Sequence, residues 1–194
     1  MTVSLIEALQ QVEDPRHARG RRYPLWVVLL LVILGMMSQC QGYCSLETFA
    51  QRHKDALIAA LGLPLKRLPS DSTFRLILQQ LDYVQLIRVF NQWAQQYREL
   101  EAGRALSVDG KAIAGTVVDQ HGKQQNFLSL VSLYCQQQGV VLGVQAFDNQ
   151  HQSELAVVQQ LLEALHLDGY IVTLDALHAQ KKRLQLSSST AVIL

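Results

Sequence analysis

Cysteine, proline and aromatic residues are all scarce in this chain of 194 residues, which has three cysteines, four prolines and an aromatic share of 7%. The three cysteines, Cys40, Cys44 and Cys135, form an odd set with no secretory context. A disulfide framework is therefore a poor reading, and reduced thiols are expected. Cys40 and Cys44 stand four apart, but zinc needs two further Cys or His ligands nearby and the spacing supplies none. A long hydrophobic run is also missing. The most apolar stretch, LWVVLLLVILGMM at 25–37, falls short of the roughly 20 residues that span a bilayer. Ser38, Gln39 and Gln41 close it off, it begins too late for a signal peptide, and no small-x-small cleavage site follows. A buried core helix is the expectation, with no membrane partner. Internal repeats and low-complexity linkers are lacking as well.

Charge of one sign is nearly absent as a net quantity: 17 Lys plus Arg face 16 Asp plus Glu. The distribution is more telling. Residues 1–104 hold 12 basic against 9 acidic side chains, and the remainder holds 5 against 7. The front half is thus the better candidate for touching a polyanion. Its basic excess is concentrated in Arg16, Arg19, Arg21 and Arg22, with His17 among them. A solvated loop and a nucleic-acid contact are both open at this point.

An apolar share of 49% is ample for a packed core, and the length allows one ordinary domain or two small ones. The first hundred residues read as helices. Ser4 caps a short one that ends before Pro15, and Pro24 suits the first turn of the apolar helix. Ser45 is expected to cap a third, with Glu47 in its first turn and Leu46, Phe49, Ala50, His53, Leu57 and Leu61 at helical spacing before Gly62. A fourth, capped by Ser70 or Asp71, carries Phe74, Ile77, Leu78 and Leu81. A fifth spans about 83–98 with Leu86, Phe90, Trp93 and Tyr97. The predicted organisation is an all-helical domain over 1–102 and a second domain over 103–194.

From Gly103 onward the pattern changes to short β-branched runs: 105–109, 127–135 and 140–147, the last two separated by Gln136 to Gly139 and read as a hairpin. A helix with Leu155, Val158, Leu161, Leu162 and Leu165 on one face follows, and then a strand at 170–174. A strand reached through a helix usually pairs in parallel by a right-handed crossover, so a mixed sheet is predicted. The fold class is α+β or α/β, with strands and helix in the order β-β-β-α-β. The first and last of these strands are each expected to end in an acid, Asp109 and Asp175. Two Mg²⁺ ions that process a phosphodiester sit roughly 3.5–4 Å apart on hard oxygen ligands, and neighbouring strands are about 4.8 Å apart. Carboxylates at the same end of adjacent parallel strands can therefore share such cations, which is what a ribonuclease-H-like nuclease or transposase core needs. Taken singly, either aspartate reads equally as the opening of a turn.

The segments DPRHARGRRYPLWVVLLLVILGMMSQCQG (14–42), SVDGKAI (107–113), SELAVVQQLLEAL (153–165) and TLDALHAQKK (173–182) resemble, in order and spacing, the H-repeat-associated insertion-sequence transposases of the DDE superfamily. That resemblance implies a helical transposase-associated domain before a ribonuclease-H-like catalytic domain. It implies Asp109 and Asp175 as catalytic acids and ligands of Mg²⁺ or Mn²⁺. It also implies Lys111 and Gln180 beside them on DNA, and the terminal inverted repeats of an element as the DNA partner. A homo-oligomer or a full-length transposase is a second partner, and the bacterial cytoplasm, at the nucleoid, is the expected location. Glu154 matches a family glutamate and also suits a helix N-terminus, where negative charge is stabilising. His151 and Ser153 replace the family's usual lysine and asparagine. Beyond Lys182 the match fades and the family's third acid has no counterpart, so a truncated, inactive copy is expected. The alternatives are a non-catalytic DNA- or transposase-binding fragment that inhibits the full enzyme, and a membrane-attached regulator built around 25–37.

Overall fold

A computed structural model describes residues 3–97, 105–118, 126–148, 154–164, 171–173 and 191–193. It is an α+β protein that divides into two compact units, Met1–Val89 and Phe90–Leu194.

In the first unit, α1 (Leu5–Gln10) opens with a capping box: the Glu7 amide donates to Ser4 Oγ at 3.2 Å and the Ser4 amide to Glu7 Oε2 at 2.7 Å. The apolar stretch forms α2 (Leu25–Met37), with Pro24 as its N-cap. Being hydrophobic on every side, α2 belongs inside a core; Leu25 and Val27 to Leu31 are all buried. Ala18–Met37 passes by length and composition alone for a membrane span. Within the fold its α-helical part is 13 residues long and packs against α1 and against α3 (Tyr43–Arg52). Gly35 permits that second contact, because a Cβ there would meet Leu46 Cδ2 at 2.5 Å.

The single helix expected from Ser45 to Leu61 is two helices, α3 and α4 (Lys54–Ala60). His53 closes one and opens the other, its amide donating to Phe49 C=O and its own C=O accepting from Leu57. A one-residue kink preserves the apolar spacing across it, so periodicity could not reveal the break. Next comes α5 (Asp71–Gln79), with Ser70 as N-cap. The Ser70 hydroxyl turns to Ser72 and Thr73 instead of the helix amides. Glu47 satisfies the first amide of the helix, its Oε2 accepting from the Asp71 N–H at 3.1 Å, and the Ser72 amide donates to Asp71 Oδ1. Phe74 and Ile77 point into the core from α5.

The division between units falls inside α6 (Tyr83–Gln95), earlier than residue 103. Unit two is a five-stranded sheet: β1 (Ala105–Val118), β2 (Asn126–Cys135), β3 (Val140–Asp148), β4 (Ile171–Thr173) and β5 (Ala191–Ile193), in spatial order β3-β2-β1-β4-β5. Strands β1, β2 and β3 form an antiparallel meander, while β4 pairs in parallel with β1 and β5 in parallel with β4. The β2–β3 hairpin and the mixed sheet match the sequence reading, whereas β5 was not expected. Gly139 makes the hairpin turn possible at φ +68°, its amide donating to Cys135 C=O at 2.9 Å. One sheet face, presenting Leu106, Val108, Val131, Leu133 and Val172, is covered by Val157, Val158 and Leu161 of α7 (Glu154–Ala164).

Candidate functional site

Strand β1 does not stop at Asp109 but continues to Val118. Asp109 therefore lies mid-strand, opposite Ser132 of β2. Alternation along β1 buries Leu106 and Val108 beneath α7, which leaves Ser107, Asp109 and Lys111 on the opposite face. Asp109 and Lys111 are exposed there, two residues apart. The parallel pairing with β4 covers Ala105↔Ile171, Leu106↔Val172 and Ser107↔Thr173. Sequence reading correctly made these two strands parallel neighbours.

A polar chain on the same face ties them together. Ser107 Oγ and Thr173 Oγ1 are 3.1 Å apart, Thr173 Oγ1 donates to Leu106 C=O at 3.0 Å, and Gln136 Nε2 donates to Ser107 Oγ at 2.6 Å. None of these three residues stood out in the sequence. The available signal was a Ser and a Thr, each two positions before an acid, inside otherwise apolar runs. Asp175 and Gln180 lie outside the described residues, as do His151 and Ser153. Glu154 is the first residue of α7.

Among the described residues, no three His, Cys, Asp or Glu side chains gather as a metal-ligand group. Asp109 is an accessible hard-oxygen donor of the type Mg²⁺ or Mn²⁺ takes, and one carboxylate is too few to hold either ion alone.

The four arginines of the basic segment do not act as one patch. Arg16 is buried, and its guanidinium makes four hydrogen bonds: Nε and Nη2 donate to Asp14 at 2.8 and 2.6 Å, Nη1 to Gly20 C=O, and Nη2 to Tyr23 C=O. Arg21 donates to the Arg16 and Asp14 carbonyls at 2.7 and 2.8 Å. These bonds fold the loop onto itself around a short 3-10 turn at Ala18–Gly20. Arg16 thereby holds Asp14 below its usual carboxyl range, chiefly by hydrogen bonding and secondarily by charge. Arg19, Arg22 and His17 remain exposed. Of the expected DNA-contacting set, Arg16 faces inward, because an arginine among four backbone and carboxylate acceptors is satisfied without a ligand.

Residues 6–94 match the family model described as DDE_Tnp_1-associated. YncI of Escherichia coli strain K12, which carries a transposase name, is 25% identical over 178 residues, covering 92% of this chain and 70% of that protein. YhhI of the same strain, named H repeat-associated, is 22% identical over 177 residues, covering 91% of this chain and 46% of its own length. The chain is similar in sequence to proteins named as H repeat-associated transposases. YbfD, also of strain K12 and so named, is 23% identical and matched over 91% of this chain and 68% of its own length. The chain thus spans between about half and two thirds of the length of these relatives. A piggyBac transposase synaptic complex with hairpin DNA superimposes with a TM-score of 0.48 at 11% identity, over 98% of this chain and 46% of that one.

Proposed function

We propose that this chain is part of an insertion-sequence transposase, and that its second unit is a ribonuclease-H-like domain for cleavage and strand transfer of DNA. The observation that carries the reading is the parallel register Ser107↔Thr173. Asp109 follows Ser107 by two residues and Asp175 follows Thr173 by two. The sheet order β3-β2-β1-β4-β5, with an antiparallel meander continued by parallel strands, supports the same fold.

In this reading Asp109 and Asp175 are the proposed ligands of Mg²⁺ or Mn²⁺, which when bound supplies Lewis acidity at a phosphodiester oxygen. The chain's own residues do the positioning. Strand β1 presents Asp109 to solvent on the face away from α7, Lys111 offers a cation to a phosphate oxygen on that face, and the Ser107–Thr173 bridge fixes the register of the two strands. Gln180 is proposed to orient DNA, and Arg19 and Arg22 to add sequence-independent affinity for the element's ends. The test is Mn²⁺ binding to the full chain, followed by paramagnetic resonance. Asp109→Asn and Asp175→Asn should each weaken it at least tenfold; unchanged binding in both variants would sink the two-acid site.

A second reading has its own support, because the exposed Arg19 and Arg22 belong to the helical unit, which the family model matches over residues 6–94. In it the chain is a non-catalytic module that binds DNA or a full-length transposase and inhibits it. Dose-dependent inhibition of a full-length relative by the Asp109→Asn variant would favour this reading over the enzymatic one.

A further inference from the structure

The first unit carries an open surface cleft of about 340 Å³, lined in part by the exposed Gln39, Thr48, Arg52 and His53 and the half-buried Ser45 and Phe49. That volume falls at the lower end of small-ligand sites, roughly 300–1,000 Å³.

One wall is the end of α2. There the Cys40 amide donates to Gly35 C=O at 2.9 Å and the Gln39 amide to Met36 C=O at 3.0 Å. This paired closure places the residue after the helix cap in the left-handed region, where glycine is the usual occupant because a Cβ is disfavoured. Gln39 occupies it at φ +62°, the one non-glycine residue with positive φ among the described residues. A side chain held in that disfavoured conformation, at a position lining the cleft, points to a use for the side chain.

The chemistry of the walls narrows the ligand. Phe49 and His53 present an aromatic surface, their ring centroids 4.9 Å apart. The Thr48 hydroxyl donates to Cys44 C=O, which leaves its oxygen free to accept. Arg52 is exposed and has no ion pair among the described residues. Helices α2 and α3 both end beside the cleft, and the partial negative charge of helix C-termini disfavours a compact dianion. It suits a neutral ring that carries N–H donors. A planar heteroaromatic with donors and acceptors on its edge, tethered to a singly charged group, matches Phe49, His53, Thr48 and Arg52.

We propose that this cleft receives one unpaired nucleotide of a DNA strand, its base against Phe49 and His53 and its phosphodiester at Arg52. The inference shares with the proposed function only the premise that DNA is the ligand, and it involves neither the acids of the second unit nor the arginines of the basic loop.

The test uses the full chain and a short single-stranded oligonucleotide containing 2-aminopurine, whose fluorescence reports stacking. Saturable quenching is expected, weakened about tenfold by Arg52→Gln and by Gln39→Gly. Gln39→Gly should at the same time raise the thermal midpoint, because the left-handed strain is relieved. Duplex binding that survives Gln39→Gly while quenching disappears would separate this cleft from the basic loop and support the proposal. Absence of quenching, equal affinity in both variants, or a lowered midpoint for Gln39→Gly would overturn it. Displacement by inorganic phosphate as effective as by deoxyadenosine monophosphate would also overturn it, since that result describes an anion site.

Discussion

Asn91 holds the outer edge of the sheet through Val144: its Nδ2 donates to Val144 C=O at 2.8 Å, and its Oδ1 accepts from the Val144 amide at 2.9 Å. Strand β3 ends the sheet order, so these two backbone groups have no neighbouring strand to meet. The side-chain amide reproduces the donor and acceptor of one and thereby protects an edge that would otherwise template pairing with another chain. Asn91→Ala should cost about 1–3 kcal/mol, from two part-buried backbone groups left unpaired. Amide exchange at Val144 should accelerate, and the variant should self-associate more readily in sedimentation. An unchanged exchange rate would show that water replaces the amide at no cost.

Asp14 makes the basic loop acid-sensitive. Its carboxyl is held below the ordinary value by Arg16, so the unfolded state binds the proton more readily than the native state does. The stabilisation is complete above the ordinary carboxyl pKa of about 3.9 and disappears as pH falls from there through the depressed native value. Asp14→Asn should remove it at all pH values. It should also destabilise the chain by about 2–4 kcal/mol near neutrality, because Arg16 would keep a buried charge without its counter-ion. Thermal melts of both proteins between pH 3 and 7 should converge at the acid end.

Substituting Gly35 tests the approach of α2 to α3. Gly35→Ala puts a methyl group onto the buried Leu46 side chain, and overpacking of this kind costs about 1–3 kcal/mol. Combining it with Leu46→Ala should restore part of that stability. Urea midpoints of the two single variants and the double variant would show this as a favourable coupling, and strict additivity would contradict the close approach.

Arg19 and Arg22 are the exposed cations of the basic loop with no bond to their own loop among those described. If both reach phosphates, Arg19→Gln with Arg22→Gln should lower the slope of log K against log salt by about 1.8, that is about 0.9 for each phosphate no longer neutralised. Arg16→Gln should act differently, lowering the thermal midpoint before it changes the slope. A slope unaffected by the double change would return the loop to a solvated turn.

Binary patterning and local chemistry determined much of this protein in advance. The cap at Ser4, the buried run of α2, the β2–β3 hairpin, the helix before β4 and the parallel pairing of β1 with β4 were legible in the sequence, because cap chemistry is local, helix and strand periods differ and burial enforces them. Other features needed the tertiary structure. Lys111 shares a strand face with Asp109 only because β1 runs on to Val118. Runs of arginine look alike in sequence whether they face water or not, and only the folded loop shows Arg16 turned inward onto Asp14. The break at His53 leaves apolar spacing intact. The extension of β1 past Asp109 depends on β2 offering a partner. Asn91 and Val144 are 53 residues apart, as Ser107 and Thr173 are 66 apart. Such pairings are set by which backbone groups the packed core leaves without partners, and that quantity does not exist until the core has formed.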